Sequence, residues 1–303
     1  MASWAGWPDP ARAKATCLWG ARTDPYGTET TDKATRNLED RIGRKFAILR
    51  EYAAWDRDLP TGYQRWVART GRVPYIAWHA TKIDGTAITW SSIANGTRDE
   101  WIKTQARALK SWGRPAYFCF HHEPENDTKN GNAAEFKAAW AHVRRIFRRV
   151  GVTNLKWVAA FMASTYKGGH GGIDAWMPPD TDILFGVDGY NRGACDPKPG
   201  WRSFSDIFLP AHKHAVAKGH GLFIGEFGCV EDTACGKTSG SSTRKAHWFT
   251  HASATMKTWS ELKAVVYSNT EWVFNGVDVN YRVDTTTESF KSYKAVGLDP
   301  YFH

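Results

Sequence analysis

Eight short apolar runs, with helix-like stretches between them, constrain this 303-residue chain more than any other feature. They lie around 16–20, 45–52, 73–79, 116–122, 155–162, 182–190, 221–227 and 262–269. Each has the length of a buried strand, while the intervening segments carry apolar residues at helical spacing. Asn132 with Glu135 predicts a capping box opening a helix on Phe136, Trp140, Val143, Phe147 and Val150, with Gly151 as its stop. Thr97 with Glu100 predicts a second box, ahead of Trp101, Ile102, Ala106, Leu109 and Trp112, with Gly113 after it. Thr285 with Glu288 predicts a third, before Phe290, Tyr293 and Val296. Less regular helices are predicted over 31–42, 61–70, 210–218 and 243–259. Eight strand–helix repeats in a chain of this length predict a (β/α)8 barrel, an α/β fold, as a single domain over residues 1–303. A doubly wound sheet is the other reading of the alternation, but the first turn, Trp19 to Gly27, holds no G-x-G-x-x-G.

Hydrophobic residues at 42% and charged residues at 23% exclude disorder as a description of the whole chain. No apolar run reaches ~18 residues, so neither a transmembrane helix nor a membrane partner is expected. The 16 tryptophans exceed what a core of this size needs, and they suit a protein that stacks flat apolar faces such as those of sugars. The net charge of +9 attracts anions without naming one. Its densest run, Arg144-Arg145-Ile146-Phe147-Arg148-Arg149, falls opposite the apolar stripe of its helix and reads as a solvated face. With no zinc-finger spacing, RNA-recognition signature or basic zipper, no nucleic-acid partner is expected.

Five cysteines are too few for a disulfide scaffold. Cys229 and Cys235 close a Gly/Asp/Thr-rich loop and are expected to bridge if the protein is exported, with Cys195 as a second possible partner. Cys17 and Cys119 lie in apolar runs and read as buried thiols. The opening Met-Ala-Ser-Trp-Ala-Gly has no basic region followed by an apolar stretch, so the protein is either cytoplasmic or exported with its leader already removed.

In a barrel of this kind the chemistry sits where strands end and loops begin. Those positions hold Arg50-Glu51-Tyr52, Trp78-His79, His121-His122-Glu123-Pro124-Glu125-Asn126, Asp188-Gly189-Tyr190-Asn191, Gly225-Glu226-Phe227-Gly228 and Ser268-Asn269-Thr270-Glu271-Trp272. Glu123 and Glu226 each directly follow an apolar strand. Two facing carboxyl groups, one protonated and one ionised, are what glycoside cleavage needs. Glu125, two residues on, is the alternative inward acid. A metal reading of His121-His122-Glu123 with His79 or Asp188 is weak, because neighbours on a strand point to opposite sides. His212 and His214 fall in a helical stretch and read as surface residues. No G-x-S-x-G elbow supports an esterase.

These strand ends resemble glycoside hydrolase family 26, the mannanase-type retaining glycosidases of the large (β/α)8 clan. His122-Glu123 resembles the family's His-Glu acid/base segment after strand 4. Gly225-Glu226-Phe227-Gly228 resembles its nucleophile segment after strand 7. The stretch from Phe185 to Asn191 is also family-like, as are Tyr281-Arg282-Val283-Asp284-Thr285 and Leu298 to Phe302. Cys119 stands where the family commonly has Arg, and Pro124-Glu125 where it has Met-Asn, with no aromatics following.

The resemblance implies an endo-acting retaining β-glycanase, with β-1,4-mannan as substrate. Mixed-linkage β-1,3/1,4-glucan and β-1,3-xylan are activities the family also shows. It implies Glu226 as nucleophile and Glu123 as acid/base, with Tyr190 holding Glu226. His122, His79, Trp272 and Trp78 would meet the sugar. It further implies secretion, action as a monomer on a polysaccharide or oligosaccharide, and no metal or organic cofactor. The alternatives are a non-catalytic carbohydrate-binding barrel and a basic nucleic-acid-binding protein.

Overall fold

The computed structural model describes residues 17–196, 198–237 and 239–303. The N-terminal stretch discussed above, and the first residue of the expected first strand, lie outside them. The chain runs β1 (Leu18–Thr23), α1 (Thr31–Ile42), β2 (Ile48–Ala53), α2 (Gly62–Arg69), β3 (Val73–Trp78), α3 (Trp90–Ala94), α4 (Asp99–Trp112) and β4 (Ala116–Phe120). It continues through α5 (Ala133–Val150), β5 (Leu155–Met162), α6 (Ile173–Trp176), β6 (Ile183–Asn191), α7 (Phe204–Lys218) and β7 (Leu222–Cys229). After α8 (Arg244–Met256) and β8 (Leu262–Asn269) come a hairpin, β9 (Glu271–Phe274) and β10 (Val277–Asn280), and a last helix, α9 (Thr287–Gly297). Strands β1 to β8 bond in sequence order and close into a parallel barrel, the expected (β/α)8 fold.

Contacts group the chain into two compact units. One, Leu49–Gly186, carries β3 to β5 and nearly all of β2. Its strands pair in register, Tyr75 with Tyr117 and Phe118 with Trp157. Every residue of β4 is buried. Helix α5 covers its side with Phe136, Trp140, Val143 and Phe147, all at most 1% exposed. Asn132 caps α5 as predicted, accepting from the amides of Ala134 and Glu135 while the Glu135 carboxylate accepts from the Asn132 amide. Gly151 ends it in the left-handed region.

The other unit, residues 17–48 with 187–303 among those described, carries β1, β7, β8 and most of β6. Here β1 pairs with β8 along six residues, Leu18 with Ala264 through Thr23 with Asn269.

Several local expectations change. Helix α4 does not open on Thr97: that hydroxyl donates to Asn95 instead (2.7 Å), and Arg98 takes the N-cap position with no side-chain cap. The cap of α9 is Thr286, paired with Ser289, because Thr285 points away and donates to Glu231. Helix α7 starts six residues earlier than predicted, on a Ser203–Asp206 capping box, and carries Pro210 inside it.

The basic run on α5 is not uniformly solvated. Arg144 is 3% exposed, bridging Asp180 (2.9 Å) and Asp182 (2.8 Å) with its guanidinium over Trp157, while Arg145, Arg148 and Arg149 face solvent. His212 is half-buried, stacked on Trp259 at 4.3 Å and paired with Glu261.

The disulfide joins Cys195 to Cys235, tying the loop after β6 to the loop after β7. Cys229 is not its partner. Strand β7 runs two residues further than predicted, which buries the Cys229 thiol against the Asn191 amide (3.2 Å). Cys17 and Cys119 are buried thiols, as expected.

Candidate active site

In the first unit β4 stops at Phe120, two residues short of the predicted end, and the backbone turns. His121 and Glu123 both adopt left-handed conformations, φ 54° and 48°. Residues other than Gly rarely sit there, and such outliers concentrate where geometry is held for function.

The turn swings His121 inward, to 1% exposure. Its Nδ1 accepts from the Ala80 amide (3.1 Å), so its Nε2 carries the proton donated to Asp127 (2.7 Å). Both ring nitrogens are thereby engaged. His79, His121 and Asp127 converge closely enough to hold an ion, but the engaged nitrogens of His121 fit a hydrogen-bonded support better than a ligand.

His79 packs 5.1 Å from the His121 ring and 4.4 Å from the His122 ring, and Tyr52 lies 5.0 Å from His122. Burial, with His121 beside it, pushes His79 down to about 3, so the ring is neutral at pH 7. Its Nε2 is buried and has no hydrogen-bond partner among the described residues. A neutral imidazole edge of this kind can bind a hydroxyl. The His79–Tyr52 edge opens into a groove of about 1040 Å³ lined also by Glu51, Asp56, Tyr63 and Lys82.

Glu123 is half-buried. Its amide donates to the Ala160 carbonyl (2.9 Å), and its Oε2 accepts from the Asn126 side-chain amide (3.0 Å). Asn126 was not singled out from the sequence as a partner of Glu123. Its position three residues on, in a single 3-10 turn, is the signal that could have found it.

Glu125, the alternative acid, is 2% exposed and points into the loop's own interior. Its Oε1 accepts from the Met162 amide and the Thr165 hydroxyl, both at 2.7 Å, and burial pushes it up to about 7. It ties the β4 loop to the end of β5. Trp78 departs from expectation: it is fully buried and stacks on Trp55 at 4.5 Å, so it presents no face to a sugar.

In the second unit Glu226 sits mid-β7, 4% exposed. Tyr190, on β6, donates its phenolic hydrogen to Glu226 Oε2. With that proton committed, Ser268 on β8 donates to the Tyr190 oxygen (2.9 Å). The chain Ser268–Tyr190–Glu226 aims one carboxylate oxygen from two neighbouring strands.

Gly228 makes this possible, since a Cβ there would stand 2.8 Å from the Tyr190 ring and 2.9 Å from Tyr281. The Tyr190 carbonyl accepts from Arg202 (2.6 Å). Trp272, half-buried at the start of the hairpin, meets Tyr190 edge-on at 4.8 Å and Tyr281 at 5.1 Å. Asp188, also on β6, is buried at 2% exposure.

The class defined so far is a (β/α)8 barrel with hydrogen-bonded glutamates after β4 and on β7. No protein-family profile matches the chain. Among curated proteins it is 24% identical over 286 residues to Endoglucanase H of Acetivibrio thermocellus; the match covers 89% of this chain but only 30% of that protein.

Among solved structures it is similar to the catalytic domain of a family 26 endo-β-1,4-mannanase from Bacillus sp. JAMB-750, with TM-score 0.63, 16% identity, and coverage of 95% of this chain and 87% of the other. The family 26 β-mannanase of Bacteroides ovatus gives TM-score 0.62 at 13% identity, over 95% and 90% of the two chains. The Cellulomonas fimi endo-β-1,4-mannanase gives 0.64 at 15%, over 97% and 73%. These neighbours bear out the resemblance read in the sequence. At such identities the likeness shows the fold.

Proposed function

We propose that this chain is a single catalytic barrel of glycoside hydrolase family 26, an endo-acting retaining β-glycanase with mannan as its substrate. Glu226 attacks the anomeric carbon while Glu123 protonates the leaving oxygen. A covalent glycosyl-enzyme follows, and Glu123 then takes a proton from water. The observation that carries this reading is the Tyr190–Glu226 hydrogen bond with Ser268 behind it, which fits a carboxylate kept ionised and aimed. Asn126 on Glu123 supports the second role. The scheme calls for carboxyl groups about 5–5.5 Å apart. His79 and His122 would meet sugar hydroxyls, and Trp272 would lie beneath the ring being cleaved.

The Cys195–Cys235 bridge supports an oxidising compartment, hence secretion. Among the described residues no helix is long and apolar enough to cross a membrane. We propose action as a monomer. A glucan in place of mannan is the second reading, favoured by the curated relative's being an endoglucanase. Incubation with β-1,4-mannan, mixed-linkage glucan and β-1,3-xylan tests the reading. Short oligosaccharides with new reducing ends are expected from mannan first. No products from any of the three would refute the mannan and glucan readings.

A further inference from the structure

Two arginines next to Tyr190 have no role in the reaction just described. Arg192 follows the last residue of β6. Its guanidinium lies 4.0 Å from the centroid of Phe274 and 5.3 Å from that of Tyr190. Arg202 reaches back to the Tyr190 carbonyl. Neither has a carboxylate within ion-pair distance among the described residues, and both bury an Nε–H with no acceptor. Burial depresses Arg202 below the usual arginine range, and the positive charge of Arg192 depresses it further. Asp196 and Asp206 offset this only at longer range, and Asp206 is already engaged in capping α7. Nearby Arg244 and Lys237 differ, since both are neutralised by Asp232 at 2.9 and 2.7 Å. The fold thus holds two guanidinium groups close together, partly desolvated, with unused donors. That arrangement costs stability unless an anion completes it.

Its position names the anion. Trp272 and Phe274 are two apart on β9 and project from the same face. Trp272 packs on Tyr190 and Phe274 carries Arg192, so the guanidinium stands beside the ring that Trp272 would floor. Arginine stacked on an aromatic face is pre-oriented for two-point binding of a planar carboxylate.

We propose that Arg192 and Arg202 form a subsite for a sugar carboxylate next to the point of cleavage. The preferred polymer then carries a uronic acid there, in the backbone or as a side group. This rests on the glycosidase reading above.

The test is equilibrium binding to Glu226→Gln, which removes turnover, together with product analysis on the wild-type protein. The probes are a neutral manno-oligosaccharide, one with a uronic acid in the backbone, and one with a glucuronic acid side group. At least one acidic probe is expected to bind about ten- to a hundred-fold more tightly than the neutral one. Whichever acidic probe gains tells backbone from side group. Arg192→Met should abolish that ratio. Salt should weaken acidic binding and spare neutral binding, a readout that needs no arginine variant. Equal binding of all three, with the neutral polymer still cut, overturns the subsite and leaves the glycosidase standing. A wild-type protein that cuts neither neutral nor acidic polymers overturns both.

Discussion

Glu125 makes a strong case for a pH-dependent stability term. It is 2% exposed, its Oε1 accepts from Met162 and Thr165, and its Oε2 is buried without a partner among the described residues. Burial raises its pKa from 4.5 to about 7, outweighing the hydrogen bonds that favour the anion. The folded state therefore binds this proton more tightly than the unfolded state. The contribution is fully present below pH 4.5 and is lost as pH rises to about 7. At 1.36 kcal/mol per pH unit the displacement is worth about 3 kcal/mol. Glu125→Gln keeps the accepting oxygen and cannot ionise. It should match the wild type at pH 4.5 and be more stable by about 3 kcal/mol at pH 8. Urea unfolding of both proteins across that range measures the difference. Parallel stability curves would refute the reasoning, as would a variant weaker at pH 8 than at pH 4.5 relative to wild type.

Tyr190→Phe removes a hydrogen bond to a charged group, worth ~1.5–3 kcal/mol, and should lower kcat about ten- to a hundred-fold with KM little changed. Gly228→Ala puts a Cβ 2.8 Å from the Tyr190 ring, so steady-state kinetics and thermal melting should show reduced kcat and about 1–3 kcal/mol less stability. A thiol titration in denaturant without reductant should find three free thiols, those of Cys17, Cys119 and Cys229, and none accessible in the native protein; five would remove the bridge.

Much of the barrel is legible because strand and helix signals are local. Strands at 155–162 and 262–269 match at both ends; Asn154 precedes the first, and Glu261 and Thr270 bracket the second. Helix α1 matches 31–42, between the N-cap Thr30 and Gly43 in the left-handed region. Where the reading slipped, competing hydrogen bonds decide. Thr97 prefers Asn95 and Thr285 prefers Glu231, choices set by residues outside the local motif. The hairpin carries its own local signal, Asn275-Gly276 at positive φ between apolar residues.

At the site, Glu123, Glu226 and Tyr190 stand out as residue types beside apolar runs, although Glu226 lies within β7 and not after it. Their supports do not. Ser268 and the His121–Asp127 pair become partners only through turns and strand neighbours that no periodicity encodes. Trp78 and Arg144 show the limit of reading burial from pattern: each is enclosed by elements distant in sequence.

The division of labour between the two glutamates is the central claim, and Glu123→Ala tests it most directly. A polymer has a poor leaving group and needs the proton, so its turnover should collapse. An activated aryl glycoside leaves unaided, so a glycosyl-enzyme should accumulate on Glu226. Azide needs no general base and should restore turnover, giving the β-glycosyl azide, identified by the anomeric proton in NMR. Formation of the α-glycosyl azide by Glu123→Ala, with the β-glycosyl azide from Glu226→Ala, would instead show the roles reversed, and full activity of Glu123→Ala on the natural polymer would contradict the site altogether.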